Sequence, residues 1–307
     1  MDGLGSTMSN PRKNRRGDGS SSSPHRIARR LAAGYAPGVK TAPQTTIERQ
    51  AEPSGAWFGL RFGHRGTHTS RTMMLQELTD VIKFTPPTAG SPQYRAAIVD
   101  DNLLGKRTLA TRKLTAQRLS ELYALDPGVP IFRALRRLWD TDHAGRPLLA
   151  FLVAFARDPL LRMTTDAVLP IALGRAVTTA EIDAVLEGRL GTRLNPSVRN
   201  KVARNAGSTW TQSGHLHGRA AKRRTKPVVS PGAACMALLL GYVTGLRGRA
   251  LFTSEWSRML DASYKELSQL VQAAHRVGLL NFSQVSDVIE IQFPSLIRPH
   301  EEALCRG

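Results

Sequence analysis

The stretch that decides the fold of the C-terminal third is SYKELSQLVQAAHRVGLLNFSQVSDVIEIQF, residues 263–293. Ser263 and Glu266 have the spacing of a capping box, in which each side chain bonds the backbone N–H of the other residue, and this predicts the start of a helix. Apolar residues then recur at helical spacing as far as His275, and Gly278 supplies a residue type at which helices commonly end. The first half of the stretch is therefore predicted to be a capped helix.

The second half of the stretch alternates apolar and polar residues, as half-buried strands do. Residues 279–282 and 288–293 are predicted to form two short strands, with residues 283–287 as the turn between them. Neighbouring side chains of a strand point to opposite faces, so either Val288 or Ile289 is expected to face the core. A β-hairpin is therefore expected directly after the helix.

Two further helices are expected ahead of this unit. Ser230 followed by Pro231 places a cap and a first-turn proline at the start of an apolar helix, which runs to about Thr244. A short helix over residues 253–260 comes next. Three helices and then a hairpin is the element order of a winged helix, which we predict for residues 230–307.

The N-terminal part has the pattern of a helix-turn-helix. A short helix over residues 93–99, a polar break at residues 100–102 and a longer helix over residues 108–125 are predicted. Basic residues at the start of the last helix suit a recognition helix in a DNA groove, and a surface helix with a solvated face explains them equally well. The candidate nucleic-acid-binding residues here are Lys106, Arg107, Arg112 and Lys113.

The segment that follows continues as helices, so residues 67–188 are expected to form one N-terminal helical domain. Helices are predicted to begin at Pro130, near Pro147 and at Pro159, because proline is favoured in the first turn of a helix. The last of them is expected to run to Leu173. The fold class predicted for the chain is mainly α, with a short β-hairpin as the wing of the C-terminal winged helix.

Residues 189–229 are predicted to connect the two domains, and they hold no Asp or Glu. Like charges repel one another, so a block of basic residues favours a polyanionic partner, and nucleic acid is the commonest. Within the block, Trp210 either anchors the segment in the core or stacks on a base. The candidate nucleic-acid-binding residues of this segment are Arg199, Lys201, Arg204, Gln212, Ser213, His215, Arg219, Lys222, Arg223 and Arg224.

Composition narrows the class of protein. The net charge of +19 favours a polyanionic partner. Two cysteines, Cys235 and Cys305, cannot build a disulfide framework or a zinc site from thiolates alone, so a reducing cytoplasm is the simplest location. The longest apolar run, residues 233–243, is too short to span a bilayer, and no membrane association is expected.

No pattern of catalytic residues stands out. The chain has neither a phosphate-binding loop with Gly-Lys-Ser or Gly-Lys-Thr nor a dinucleotide fingerprint. His215 and His217 lack acidic or thiolate neighbours, so they are not expected to bind a metal. Asp140, Asp142 and His143 are expected to mark a helix terminus. We therefore expect a non-enzymatic protein without catalytic residues, cofactor, metal or small-molecule substrate.

Residues 1–66 are basic and serine-rich, with few large apolar side chains. Such a segment cannot bury enough surface to offset its ordering entropy, so it is predicted to be a disordered basic tail. A dispensable extension, a basic arm that follows phosphates and an organellar transit peptide are the three interpretations of this tail.

Three motifs resemble one known family. They are DNLLGKR (residues 101–107), WTQSGHLHGR (residues 210–219) and ALLLGYVTGLRG (residues 237–248), and the resemblance covers about residues 70–297. The family is BrxA, an accessory protein of bacterial BREX phage-defence systems. The resemblance implies a small, mostly helical, non-enzymatic protein with winged-helix-like parts that binds DNA. It also implies support for methylation-based self-marking and phage exclusion by larger partners.

The sequence and this resemblance together predict a cytoplasmic DNA-binding accessory protein of a BREX-type defence system. It is expected to contact the phosphates of double-stranded DNA with little sequence readout, because few Asn, Gln or Arg residues stand where a recognition helix would present them. Other BREX proteins are further expected partners. Two alternatives stay open: an RNA-binding regulator similar to helical antitermination factors, and an adaptor that docks an acidic partner protein.

Overall fold

The protein is mainly α-helical in the computed structural model, which describes residues 54–305. Within that range lie the α-helices α1 (Leu75–Phe84), α2 (Ser91–Val99), α3 (Leu109–Tyr123), α4 (Pro130–Thr141), α5 (Arg146–Arg157), α6 (Pro159–Arg162), α7 (Thr179–Leu190), α8 (Pro196–Gln212), α9 (Pro231–Val243), α10 (Glu255–Arg258), α11 (Tyr264–Arg276) and α12 (Pro299–Glu302). Two small antiparallel sheets accompany them. Their strands are β1 (Ala176–Val177), β2 (Leu216–His217), β3 (Lys222–Arg224), β4 (Asn281–Val285) and β5 (Val288–Gln292), in the orders β1-β3-β2 and β4-β5.

Helices α5 and α9 form the centre of the core. Both are apolar on all sides, and nearly every side chain of each is buried, as expected for helices surrounded by other elements. They contact each other, and α9 also contacts α4, α10 and α11. The segments predicted as an N-terminal and a C-terminal domain therefore share one hydrophobic core.

The predicted helix starts of the C-terminal third are confirmed. The Glu266 carboxylate accepts the backbone N–H of Ser263 at 2.7 Å, and the Ser263 hydroxyl accepts the N–H of Glu266 at 3.3 Å, which completes the capping box of α11. The Ser230 hydroxyl accepts the N–H of Ala233 and caps α9 in the same way. Helix starts of this kind depend only on neighbouring residues, so the sequence predicts them well.

The hairpin forms with a shorter turn than predicted. Strand β4 continues to Val285, which pairs with Val288, so residues 286–287 alone form the turn instead of residues 283–287. Ile289 is the residue that faces the core, whereas Val288 is 72% exposed. The buried face of β5 then follows the two-residue period of a strand.

The helix predicted over residues 159–173 is mostly wrong, because α6 ends at Arg162. The Thr164 hydroxyl donates to the carbonyl of Leu161 at 2.7 Å and also accepts the indole N–H of Trp210 at 2.8 Å. A hydrogen bond to Trp210 of helix α8 thus holds this segment. Nothing in the local sequence around Pro159 predicts that bond.

The packed part of the chain begins before residue 67, within the segment predicted to be a disordered tail. Residues 55–60 pack against the core, where Phe58 is 0% and Leu60 is 5% exposed. The backbone N–H of Arg61 donates to the carbonyl of Ala156 in α5 at 3.1 Å. The prediction of a disordered tail is therefore wrong for these residues, and residues 1–53 of that tail lie outside the described part of the chain.

The N-terminal pair α2 and α3 pack together, as expected for the predicted helix-turn-helix, but their connection is longer than the three to four residues typical of that motif. It spans residues 100–108. Asn102 has a φ of 51° and Gly105 a φ of 60°, and the Asn102 side chain accepts the N–H of Lys106 at 2.8 Å. This ordered loop places the basic residues ahead of α3.

Candidate nucleic-acid interface

The basic segment predicted as a connector folds into helix α8 followed by the β2–β3 hairpin. Asn195 caps α8 by accepting the N–H of Val198 at 2.9 Å, and Pro196 occupies the first turn. One side of the helix, including Val202, Ala206 and Trp210, is buried. The Asn-Pro start and this four-residue spacing are signals that could have identified the helix from the sequence.

The opposite side of α8 carries positive charge. Lys201 and Arg204 are exposed there. Neither forms an ion pair within residues 54–305. A helix that is apolar on one side and cationic on the other can pack on the core while presenting its charges to a polyanion.

Strand alternation separates the two neighbouring arginines of β3. Arg223 lies opposite His217 of β2 and Ala176 of β1, and all three side chains are exposed. Arg224 lies opposite Leu216, and both are buried. Adjacent strand residues point to opposite faces, so one arginine reaches solvent and the other enters the core.

The hairpin and the helix meet through Lys222. A side chain at Gly207 would place its Cβ 3.5 Å from Cε of Lys222, so the lysine stem lies along α8 one turn from Arg204. Arg219 is exposed in the turn of the hairpin. We name as the basic surface the five cations that α8 and the hairpin leave without an ion pair in the described chain: Lys201, Arg204, Arg219, Lys222 and Arg223. Of these, Arg223 lies on the face of the hairpin opposite to that of Lys222.

Other candidate residues are buried and lie outside this surface. Arg199 pairs with Asp183 of α7 at 3.1 Å and with Glu187 at 3.0 Å. Arg224 is 2% exposed and pairs with Asp261 at 2.6 Å. These arginines bind carboxylates from other parts of the chain, and they hold the basic segment to the rest of the fold.

Ser213 and His215 are also buried, in a hydrogen-bonded chain. His215 is 0% exposed, and its Nε2 lies 2.9 Å from the carbonyl of Met259. Burial lowers the pKa of His215 to about 3, the bond to Met259 opposes this shift, and the charge of Arg224 adds to it. The ring is therefore neutral: Nε2–H donates to the carbonyl, and Nδ1 lies 2.8 Å from the Ser213 hydroxyl, which is also 3.0 Å from the carbonyl of Trp210.

We expect the free energy of unfolding to fall as the pH drops from about 6.5 towards 3. The unfolded chain binds a proton at His215 in this window and the folded chain does not, so acid favours unfolding. Replacing His215 with glutamine should reduce the slope of stability against pH, measured by denaturant titration. The exposed His217→Gln variant is the control. An unchanged slope in the His215→Gln variant would show that this ring is protonated in the folded protein.

Of the remaining candidate nucleic-acid-binding residues, some are engaged in hydrogen bonds or ion pairs within the chain and others are exposed to solvent. Gln212 accepts the N–H of Leu75 at 3.3 Å, and Lys106 pairs with Glu77 at 3.1 Å. Arg112 donates to the carbonyls of Lys106 and Val99 and so closes the loop ahead of α3. The two candidates left exposed without an ion pair in the described part are Arg107 and Lys113.

A buried chain of polar side chains links α8 to the segment before α1. The Nδ1 atom of His68 lies 2.7 Å from the Asp158 carboxylate, and Nε2 lies 2.8 Å from the Thr209 hydroxyl. Burial raises the pKa of Asp158, but the charge and hydrogen bonds of His68 outweigh it and the pKa is lowered. Hydroxyl, imidazole and carboxylate also line up in this order in nucleophilic hydrolases. Here all three are buried, and they join elements of the fold.

The acidic loop cluster has a structural role. Asp142 ends α4 and accepts the N–H of Gly145 at 3.0 Å together with the hydroxyl of Ser230. Between residues 54 and 305, no group of three or more His, Cys, Asp or Glu side chains is arranged to hold a metal ion. In the same range, no helix combines the length and the apolar character needed to cross a bilayer.

Comparison with models of known protein families gives no match. Comparison with curated proteins gives no match either.

Proposed function

We propose that this protein binds duplex DNA through the basic surface, chiefly by contacts to phosphates. One observation carries the proposal: the fold neutralises some charges of the basic segment internally and leaves others free. Arg199 and Arg224 are paired with carboxylates, and Arg189 is paired with Asp166. The five cations of the basic surface have no such partner in the described chain. Phosphates bound there would release counterions and so favour association.

The distribution of aromatic residues favours duplex over single-stranded nucleic acid. Proteins that bind single strands combine basic grooves with exposed aromatic rings on which bases stack. Trp210, the aromatic residue within the basic segment, is 0% exposed. The basic surface offers the His217 imidazole and otherwise only cations. Phosphate contacts without stacking suit a duplex and carry little sequence information.

We further propose that the C-terminal elements form a winged helix. Its role in this proposal is structural or protein-binding, and its hairpin does not contact DNA. The tip of the β4–β5 hairpin is apolar, since Val285 is 71% and Val288 is 72% exposed, and its turn contains Asp287 rather than a basic residue. A wing that contacts DNA would present positive charge. Arg107 and Lys113, at the start of α3, are the more suitable second contact, in keeping with the proposed N-terminal helix-turn-helix.

The resemblance to the BrxA family supplies the biological context of the proposal. A protein that holds DNA by its phosphates, without catalytic groups of its own, suits the role of an accessory protein for larger defence proteins. The proposed role is therefore DNA binding in support of a BREX-type system.

A salt titration tests DNA binding. With five phosphate contacts, the affinity for unrelated duplexes should fall about 500-fold between 50 and 200 mM salt, because the slope of log affinity against log salt is about −0.9 for each contact. Fluorescence anisotropy with labelled duplexes of different sequence measures it. Absence of binding at 50 mM salt, or an affinity independent of salt, would contradict the proposal. Tighter binding to RNA of matched sequence would favour the RNA-binding alternative.

A further inference from the structure

A second cationic site lies away from the basic surface. A cleft of about 380 Å³ opens between the loop before α1, helix α3 and the residue Leu194 ahead of α8. Arg61, Arg65 and Arg118 line it, together with one carboxylate, that of Glu121. We name it the arginine cleft.

The loop that carries two of these arginines is held in place by backbone bonds. The N–H of Arg61 donates to the carbonyl of Ala156 at 3.1 Å, and Arg162 donates to the carbonyl of Arg61. Gly66 approaches Asp158 so closely that a Cβ there would lie 1.9 Å from Oδ1 of the carboxylate. The cleft is thus fixed before any ligand binds, which reduces the entropy lost on binding.

The carboxylate in the cleft is already satisfied. Glu121 accepts the hydroxyl of Thr67 at 2.8 Å, Arg118 at 2.7 Å and the amide of Gln117 at 2.9 Å. Burial raises the pKa of Glu121, but these three hydrogen bonds outweigh it and the pKa is lowered. Glu121 therefore balances Arg118. Arg61 donates to the backbone carbonyl of Glu121 at 3.3 Å, and neither Arg61 nor Arg65 has an ion pair in the described chain.

More positive charge surrounds these two arginines. Arg193 donates to Nε2 of His64 at 2.5 Å, which requires that nitrogen to be unprotonated and adds a guanidinium at the edge of the cleft. Behind the loop, Arg157 donates to the carbonyl of Gly59 at 2.5 Å. Burial lowers the pKa of Arg157 to about 10, and the charge of Arg61 adds to this shift. Neighbouring cations that disfavour one another in this way are stabilised by a bound anion.

We propose that the arginine cleft binds a terminal phosphate group, such as the phosphate at the end of a nucleic-acid strand. A terminal phosphate carries more charge than an internal one and has three free oxygens, so it can accept several guanidinium donors at once. Leu194 adjoins the cleft just ahead of α8, and Lys201 lies about 7.5 Å along the helix from its first residue, Pro196, at 1.5 Å per residue. A strand that ends in the cleft could thus continue towards the basic surface. The assignment of this phosphate to the end of a nucleic-acid strand rests on the proposed function. The binding of a phosphate group in the cleft does not.

Binding to duplexes with and without 5′-phosphates tests the site. The wild type should bind the phosphorylated duplex about tenfold more tightly, as expected for one additional charge-assisted hydrogen bond. The R61Q/R65Q variant should lose this preference and keep most of its affinity for the duplex with 5′-hydroxyl ends. The control variant K83Q/R95Q removes two exposed charges to which no DNA contact is assigned, and it should keep the preference. Equal binding of both duplexes by the wild type, or a preference that survives in R61Q/R65Q, would overturn the proposal.

Thermal unfolding in inorganic phosphate, compared with chloride at equal ionic strength, separates this site from the proposed DNA binding. Phosphate should raise the Tm of the wild type and not that of R61Q/R65Q. If the protein binds no duplex at all, this difference would still support the site, with a free phosphate or nucleotide as its ligand. If phosphate raises the Tm of both proteins equally, or of neither, the cleft is not a phosphate site.

Discussion

Replacing Trp210 with alanine should lower the free energy of unfolding by about 3–5 kcal/mol, the usual effect of deleting a large buried side chain. The indole is 0% exposed. Its ring centroid lies 4.7 Å from that of Phe151 and 4.8 Å from that of His215, and its N–H donates to Thr164 at 2.8 Å. The substitution opens a cavity between α5 and α8 and removes this hydrogen bond. Denaturant titration followed by circular dichroism measures the change.

The Trp210→Phe variant is the matched control. Phenylalanine keeps most of the buried ring and loses only the hydrogen bond to Thr164, so the loss should be about 1–3 kcal/mol. A Trp210→Ala protein with unchanged stability and impaired nucleic-acid binding would contradict the structural role. It would mean that the ring contacts the ligand.

The variant K201Q/R204Q/R219Q/R223Q should bind duplex DNA about 10⁴-fold more weakly at 0.1 M salt. Each lost phosphate contact removes about tenfold in affinity at this salt concentration, and the slope of log affinity against log salt should become less steep by about four. All four side chains are exposed, so stability should hardly change. Anisotropy titrations at several salt concentrations, with a thermal melt of each variant, provide the measurement.

The variant K83Q/R95Q/R137Q/R298Q removes the same charge from exposed positions outside the basic surface. It should lose only a few-fold in affinity, because these residues act through the overall charge and not through contacts. Equal losses in the two variants would show that net charge alone attracts DNA. They would remove the case for a defined surface.

The features predicted correctly from the sequence are those encoded by near neighbours. Ser263 and Glu266 are three residues apart, and their capping box begins α11 as expected. The hairpin after it follows from alternation over a few residues, although its turn is shorter than predicted. Local hydrogen bonds and strand periodicity need no knowledge of the tertiary fold, so they can be inferred from one sequence.

The division of the basic segment into buried and exposed charges could not be predicted in this way. Arg224 pairs with Asp261, 37 residues away, and Arg199 pairs with Asp183, 16 residues away. An acid-free stretch of sequence therefore says little about local charge once the chain has folded. The arginine cleft was missed for a related reason: Arg61 and Arg65 belong to a loop that composition alone assigned to the tail, while the α5 carbonyl that fixes it lies far along the chain.

Side chains alternate between solvent and the interior along strand β3, so a change in the length of this strand should be poorly tolerated. Arg223 and Arg224 have the same side chain, yet one faces solvent and the other faces Asp261 in the interior. Substitutions in the solvent-exposed turn at residues 219–221 leave this arrangement in place. A deletion of one residue within β3 would reverse the faces of all that follow. Homologues should therefore differ freely in the composition of the hairpin turn while keeping the length of the strand, and insertions there should be rare.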